Sequence, residues 1–155
     1  MPNERGQILV IFAIGLIVII GMVGLVLDGG SAFAQRRIEQ NAADLATVAG
    51  ANAYLHESQS GVGNHTTWMA TAKLAAAASA TRNGYTNGQS GATVTIPDFE
   101  ILQSGYRVRV SITAPHPNTF ARVLGASSWN VSVTAAAQTG SVDTAVGAAP
   151  WTMSI

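Results

Sequence analysis

Hydrophobic and polar positions divide the chain into three regimes. From Ile8 to Leu27 (ILVIFAIGLIVIIGMVGLVL) every position is apolar or glycine, with no charge and no Pro. As an α-helix this run would be about 30 Å long, the thickness of a bilayer's hydrocarbon core. In lipid only helices and closed barrels satisfy their backbone groups, and one run cannot close a barrel. Between Ser31 and Leu55 the apolar positions move to three- and four-residue steps: Phe33, Ala34, Ile38, Ala42, Leu45, Val48 and Ala49. Gln35, Arg36, Glu39, Gln40 and Asp44 take other faces, which predicts an amphipathic helix. No Pro occurs between Pro2 and Pro97. One helix running from the apolar stretch through Leu55 would reach roughly 70 Å, a stalk rather than a core element.

His56 to Thr66 (HESQSGVGNHT) predicts a loop by its Gly, Ser and Asn content. Thr67 to Asn83 is alanine-rich and predicts a second helix, stopped by Asn83-Gly84. Small residues form ridges at four-residue steps on both helices, Ala42, Ala46 and Gly50 on the first and Ala72, Ala76 and Ala80 on the second. Such ridges let two backbones approach closely in an α-hairpin. Beyond Gly91 the period becomes two. Val94 and Ile96 alternate with Thr93 and Thr95. Tyr106, Val108, Val110 and Ile112 share one face of a second strand, and Trp129, Val131, Val133 and Ala135 one face of a third, while Phe99 to Leu102 is a further candidate. Pro117 to Leu124 predicts a short helix ended by Gly125. The fold class expected is α+β: a long N-terminal helix, a second helix and a small antiparallel sheet. The expected units are 1–55 as apolar helix and stalk, 56–138 as an α+β head and 139–155 as an extended tail.

Two other readings fit the apolar run less well. A core helix of a soluble protein would need surrounding, and the rest of the chain is too small and polar to enclose it. A signal peptide has a shorter apolar region ending at a small-residue cleavage site, whereas this run is long and stops at Asp28-Gly29-Gly30. The reading is therefore an anchor that stays. Gly15, Gly21 and Gly24 within it either admit a neighbouring backbone or reflect ordinary glycine use in membrane helices. Asp28 at its end is either a solvated boundary residue or a charge partner for an Arg of a neighbouring copy, with Arg36, Arg37 and Glu4 as the other candidate charge partners. Gly29-Gly30 either loosens the helix or is passed straight through.

Charge is sparse: 8 Lys plus Arg against 8 Asp plus Glu, for a net charge of zero, and Lys73 is the one lysine. No basic patch for nucleic acid follows from this. The low charge suits a chain that buries itself against copies of itself. Cysteine is absent. The three histidines, His56, His65 and His116, read as surface residues, and His56-Glu57 lacks the second His of an HExxH zinc motif. No phosphate loop, nucleophile elbow or paired carboxylates stand out, so neither enzyme chemistry nor a cofactor is expected. Asn64-His65-Thr66 and Asn130-Val131-Ser132 match the glycosylation sequon.

The first 55 residues or so carry a more specific likeness. Arg5-Gly6-Gln7, Phe12-Ala13 and the run LVLDGGSAFAQRRIEQNAADLATVAGANA resemble the N-terminal signature of the TadE/TadG-like family of Flp (Tad) pilus-assembly proteins. Leu25, Asp28 and Gly30 correspond to its exit from the span, and Ile38, Gln40, Ala42, Ala43, Asp44, Ala46, Ala49, Gly50 and Ala51 to the stretch beyond. The resemblance implies a pilin-like protein with its N-terminus cytoplasmic and its head exported. A prepilin-type cut after Gly6 would put Ile11 at the fifth mature position, where that type carries Glu. The expectation is a structural subunit of an extracellular filament, polymerising through Ile8, Phe12, Leu16, Ile20 and Leu27. Its partners would be copies of itself, the membrane before assembly, and the pilus-assembly machinery. The alternatives are a minor pseudopilin or assembly factor held in the membrane, and a monomeric anchored binding module. Trp151, Met153 and Ile155 in the tail are candidates for docking on a neighbouring subunit.

Overall fold

The computed structural model describes residues 5–103 and 105–140. Helix α1 (Arg5–Ser60) is unbroken over 56 residues, about 84 Å at 1.5 Å per residue. It passes straight through Gly29-Gly30, where no side chain crowds it. It also continues past Leu55: 56–60 are helical, not loop, because the first residue that favours a stop is Gly61, at φ 70°. Helix α2 (His65–Arg82) begins two residues earlier than the alanine pattern suggested. Asn64 caps it, accepting hydrogen bonds from the Thr66 and Thr67 N–H groups, while the Thr67 hydroxyl accepts from the Asn64 N–H.

Four antiparallel strands follow: β1 (Thr93–Thr95), β2 (Glu100–Leu102), β3 (Gly105–Pro117) and β4 (Ser128–Thr139). β3 is central. β4 pairs with it along the whole length from Tyr106↔Thr139 to Pro117↔Ser128. On the other side β1 pairs with residues 111–113 and β2 with residues 105–107, end to end. β3 runs past the alternating stretch that ends near Ile112, through Pro115 to Pro117. There β3 has a strand on one side only, where proline is tolerated. Consequently the expected helix from Pro117 shrinks to a single 3-10 turn, η1 (Ala121–Leu124), ended by Gly125 at φ 91°.

Both helices cover one face of the sheet. Val108, Val110, Ile112, Val133 and Ala135 pack with the alanines of α1 and α2 there, and Val131 is buried on the same side. The opposite face is polar: Ser111 pairs with Thr134 and Thr113 with Ser132, each at 2.9 Å, and Glu100 lies 3.0 Å from Arg107 and 3.6 Å from Arg109. The face of α1 that meets the head differs from the expected one. Its buried line is Glu39, Ala42, Ala43, Ala46, Thr47, Gly50, Ala51 and Tyr54, whereas Phe33, Ile38, Leu45 and Val48 are exposed. Small residues win this contact because the helices lie too close for larger ones: a Cβ added to Gly50 would be 3.2 Å from the Ala76 Cβ and 3.3 Å from the Ala72 carbonyl oxygen.

Candidate functional site

The head packs on the C-terminal half of α1, and the stretch 8–27 projects from it as a nearly bare apolar rod. This is the one described helix long and apolar enough to cross a membrane. Ile8, Phe12, Leu16, Ile20 and Leu27 are all exposed on it. Among its glycines, Gly15 and Gly21 face open space, but Gly24 touches Phe120: a Cβ built at Gly24 would fall 2.6 Å from the Phe120 Cβ.

Rod and head meet at a neck centred on Asp28. This carboxylate is only 2% exposed. Its Oδ1 accepts from the Thr119 N–H at 2.9 Å, and its Oδ2 from the Phe120 and Ala121 N–H groups at 2.9 and 2.6 Å. It therefore anchors the β3–β4 connection to α1. The Ala121 N–H above all holds the Asp28 carboxyl below the usual carboxylate range, against the opposing effect of burial, and the Thr119 and Phe120 amides and the His116 ring add to the lowering. Beside it the Ser31 hydroxyl donates to the Asp28 carbonyl and lies 3.0 Å from His116 Nε2. Arg36 and Arg37 are exposed about two turns further along α1. The loop below the neck is apolar, with Phe120, Val123 and Leu124 facing Ile17, Ile20 and Leu25 across a hollow of about 200 Å³.

Two polar clusters lie inside the head. Glu39, placed on the solvent side by the sequence pattern, is fully buried: Gln35 Nε2 donates to its Oε1 at 3.2 Å and to the Tyr85 hydroxyl at 2.9 Å. Its Oε2 has no partner. Burial pushes the Glu39 carboxyl up, and the Gln35 amide only partly offsets this. Near the α1–α2 turn, Tyr54 sits among Tyr106, Phe99, Trp68 and His65 with ring centroids 4.9–6.1 Å away. His65 stacks on Tyr106 at 4.6 Å, and its Nδ1 lies 2.9 Å from the Tyr54 hydroxyl. Burial, with the neighbouring Tyr106 hydroxyl adding to it, raises the Tyr54 phenol. Of the three histidines only His56 is plainly exposed; His65 and His116 are half-buried because aromatic rings and the neck enclose them.

The candidates from sequence thus fall into separate places. Ala42, Ala46 and Gly50 face Ala72, Ala76 and Ala80 within the head, all buried. Asp28 lies at the neck, away from the rod's free end. Glu4 and the tail residues Trp151, Met153 and Ile155 fall outside the described residues. The residues that sequence reasoning missed are Phe120, Val123, Leu124 and Glu39. For the first three the available signal was a run of large apolar side chains in a connection between polar-faced strands. Glu39 gave no such signal, since a lone Glu on a helix reads as solvated.

Among the described residues no group of three or more His, Asp or Glu side chains gathers as a metal site. Residues 6–53 match the family model described as putative Flp pilus-assembly, TadE/G-like. The match covers the rod, Asp28 and most of the stalk, and leaves α2, the sheet and the β3–β4 connection outside it. No curated protein and no solved structure matches the chain.

Proposed function

Starting from the TadE/G-like match, which supports a role in Flp pilus assembly, we propose that this chain is a membrane-anchored subunit that polymerises into the pilus-like filament itself. One observation carries the reading. Helix α1 is bare and apolar along 8–27, and beyond the neck an apolar stripe of Ile38, Leu45 and Val48 stays exposed on the side away from the head. Both surfaces lie on one continuous rigid rod. Lipid covers the first before assembly, with the N-terminus cytoplasmic and the head outside. In a filament, copies of the same helix would replace lipid, and the stripe above the neck would leave water. Each large apolar side chain buried from water contributes about 1.5–3 kcal/mol, so the stripe adds cohesion that the lipid-covered part does not. Contacts between unlike surfaces of successive copies do not close on themselves and generate a helix.

Ile11 supports a second reading. Were the chain cut after Gly6, the fifth residue would be this Ile and not the Glu of prepilin-type subunits. A membrane-resident minor component of low copy number would fit that departure. Electron microscopy with mass spectrometry of material sheared from the source cells separates the two. Thin filaments whose bulk protein is this chain support the subunit reading, and retention in the membrane fraction at low copy number supports the other. Leu16→Arg places a charge in mid-span, which insertion scales put at about 2.5–3.5 kcal/mol. It should abolish insertion or assembly, and normal filaments from that variant would refute the polymer core.

A further inference from the structure

The 3-10 turn between β3 and β4 does not stay with the head. It hangs down beside α1 against the apolar rod, with Phe120 over Gly24 and its tip facing Ile20 and Ile17. At that tip Val123 is 86% and Leu124 76% exposed. We propose that this turn is a second membrane-inserted element, a wedge whose tip enters the acyl chains of the leaflet on the head's side. The proposal rests on reading 8–27 as a membrane anchor.

Three observations carry it. The first is depth. Ile20 lies seven positions before Leu27, about 10 Å down the helix axis at 1.5 Å per residue. If Leu27 marks the boundary of a core about 30 Å thick, a tip level with Ile20 is well inside the outer half. The second is continuity. The exposed side chains of Val123 and Leu124 adjoin those of the rod, so whatever covers the rod covers them. The third is the backbone. A turn leaves water at lower cost when its N–H groups are already paired within the protein. Here Asp28 takes the N–H groups of 119, 120 and 121. Phe120 and Arg122 carbonyls take those of Val123 and Gly125, the Ala121 carbonyl takes that of Ala126, and Asn118 closes the base by pairing its own N–H with the Ser127 carbonyl and its side-chain amide with the Ala126 carbonyl. Three of the turn's amides are thus held by one carboxylate that itself stays buried, so their transfer out of water leaves no N–H of 119–121 unpaired. Arg122, exposed on the same turn, has the length to carry its guanidinium back to the headgroups. One to two turns of α1 above the neck, Phe33 and Trp129 flank a groove with Arg36, aromatic and basic groups of the kind that settle at a membrane interface.

The chain has no cysteine, so single-cysteine variants of the full protein can be labelled with an environment-sensitive fluorophore. Val123→Cys and Leu124→Cys are compared in phosphatidylcholine vesicles with Leu16→Cys in the rod and Leu74→Cys, exposed on α2. All four positions are exposed, so labelling leaves the fold intact. The expected result is quenching of 123 and 124 by lipids carrying a spin label at an upper acyl carbon, at least half as strong as the lipid quenching of 16, with 74 unquenched. Water-like emission at 123 and 124 with 16 in lipid overturns the wedge and leaves the anchor standing. Water-like emission at 16 overturns both. Emission at 123 that is shielded from water, unresponsive to quenching lipid and dependent on protein density would show a second copy covering the turn, and it too overturns a lipid occupant.

Discussion

Gly24 is the position at which the rod and the head constrain each other most closely, and Gly24→Ala tests the neck with one methyl group. Its Cβ would stand 2.6 Å from Phe120 Cβ, 2.8 Å from Cγ and 3.0 Å from Cδ1. Ordinary carbon–carbon contact lies at about 3.5–4.0 Å, so the turn must retreat by about 1 Å. Rotating the Phe120 ring does not help, because the nearest atom is the Cβ, and the Phe120 N–H is itself held by Asp28. Overpacking of this kind costs about 1–3 kcal/mol. Alanine's better helix propensity does not offset it, since α1 is helical whether the turn is docked or not. The docked turn should therefore open about 5- to 150-fold more often. Hydrogen–deuterium exchange of the full chain in lipid nanodiscs reads this directly at the amides of 119–121. Gly21→Ala, where nothing lies within 4 Å, is the control and should leave their protection unchanged. In a Phe120→Gly background Gly24→Ala should have no effect. Unchanged protection at 119–121 in Gly24→Ala alone would refute the docking of the turn on the rod.

Three further outcomes are expected. Glu39 titrates above its ordinary range, so between the ordinary and the raised pKa the native state holds more protons than the unfolded one, and stability falls as pH rises through that window. Thermal melts should show this fall, and Glu39→Gln should melt higher at neutral pH without it. Ala76→Leu forces three carbons into the α1–α2 contact and should lower stability by about 1–3 kcal/mol in a denaturant titration, whereas Ala78→Leu on the exposed face should not. Asn64→Ala removes the α2 cap and should cost about 1 kcal/mol by the same titration.

Much of the fold was legible because its periods are clean. Alternation at Val108, Val110 and Ile112 identified the buried face of β3, since a strand's side chains have only two directions in which to point. Four-residue steps of Ala and Gly located the contact between α1 and α2, because small residues matter only where backbones meet. Element ends were less legible. His56 to Ser60 reads as loop by composition, yet nothing in it forbids the helix that is already running, and only Gly61 stops it. Asn64 reads as loop content by composition and is the cap of the next helix.

The polar contacts at the neck were not legible, and the reason is physical. Asp28 is 91 positions from Thr119 and 93 from Ala121, and its partners are backbone amides, which every residue has. No pairing of residue types could point to them. The same holds for α1's apolar side chains above the neck. Pattern alone assigns Phe33, Ile38, Leu45 and Val48 to the core, because a large apolar residue on an amphipathic helix ordinarily faces its own domain. Here the short Ala–Gly contact fills that role and leaves the larger side chains outward. The helix turns its small face to its own head and leaves the large apolar face exposed, where the proposed filament would place a second copy. Whether lipid-free association buries Ile38, Leu45 and Val48 can be read from Ile38→Glu, which should leave the head's melting temperature within a degree or two while weakening self-association. Loss of the fold in that variant would place this face in the protein's own core and end the case for a second partner.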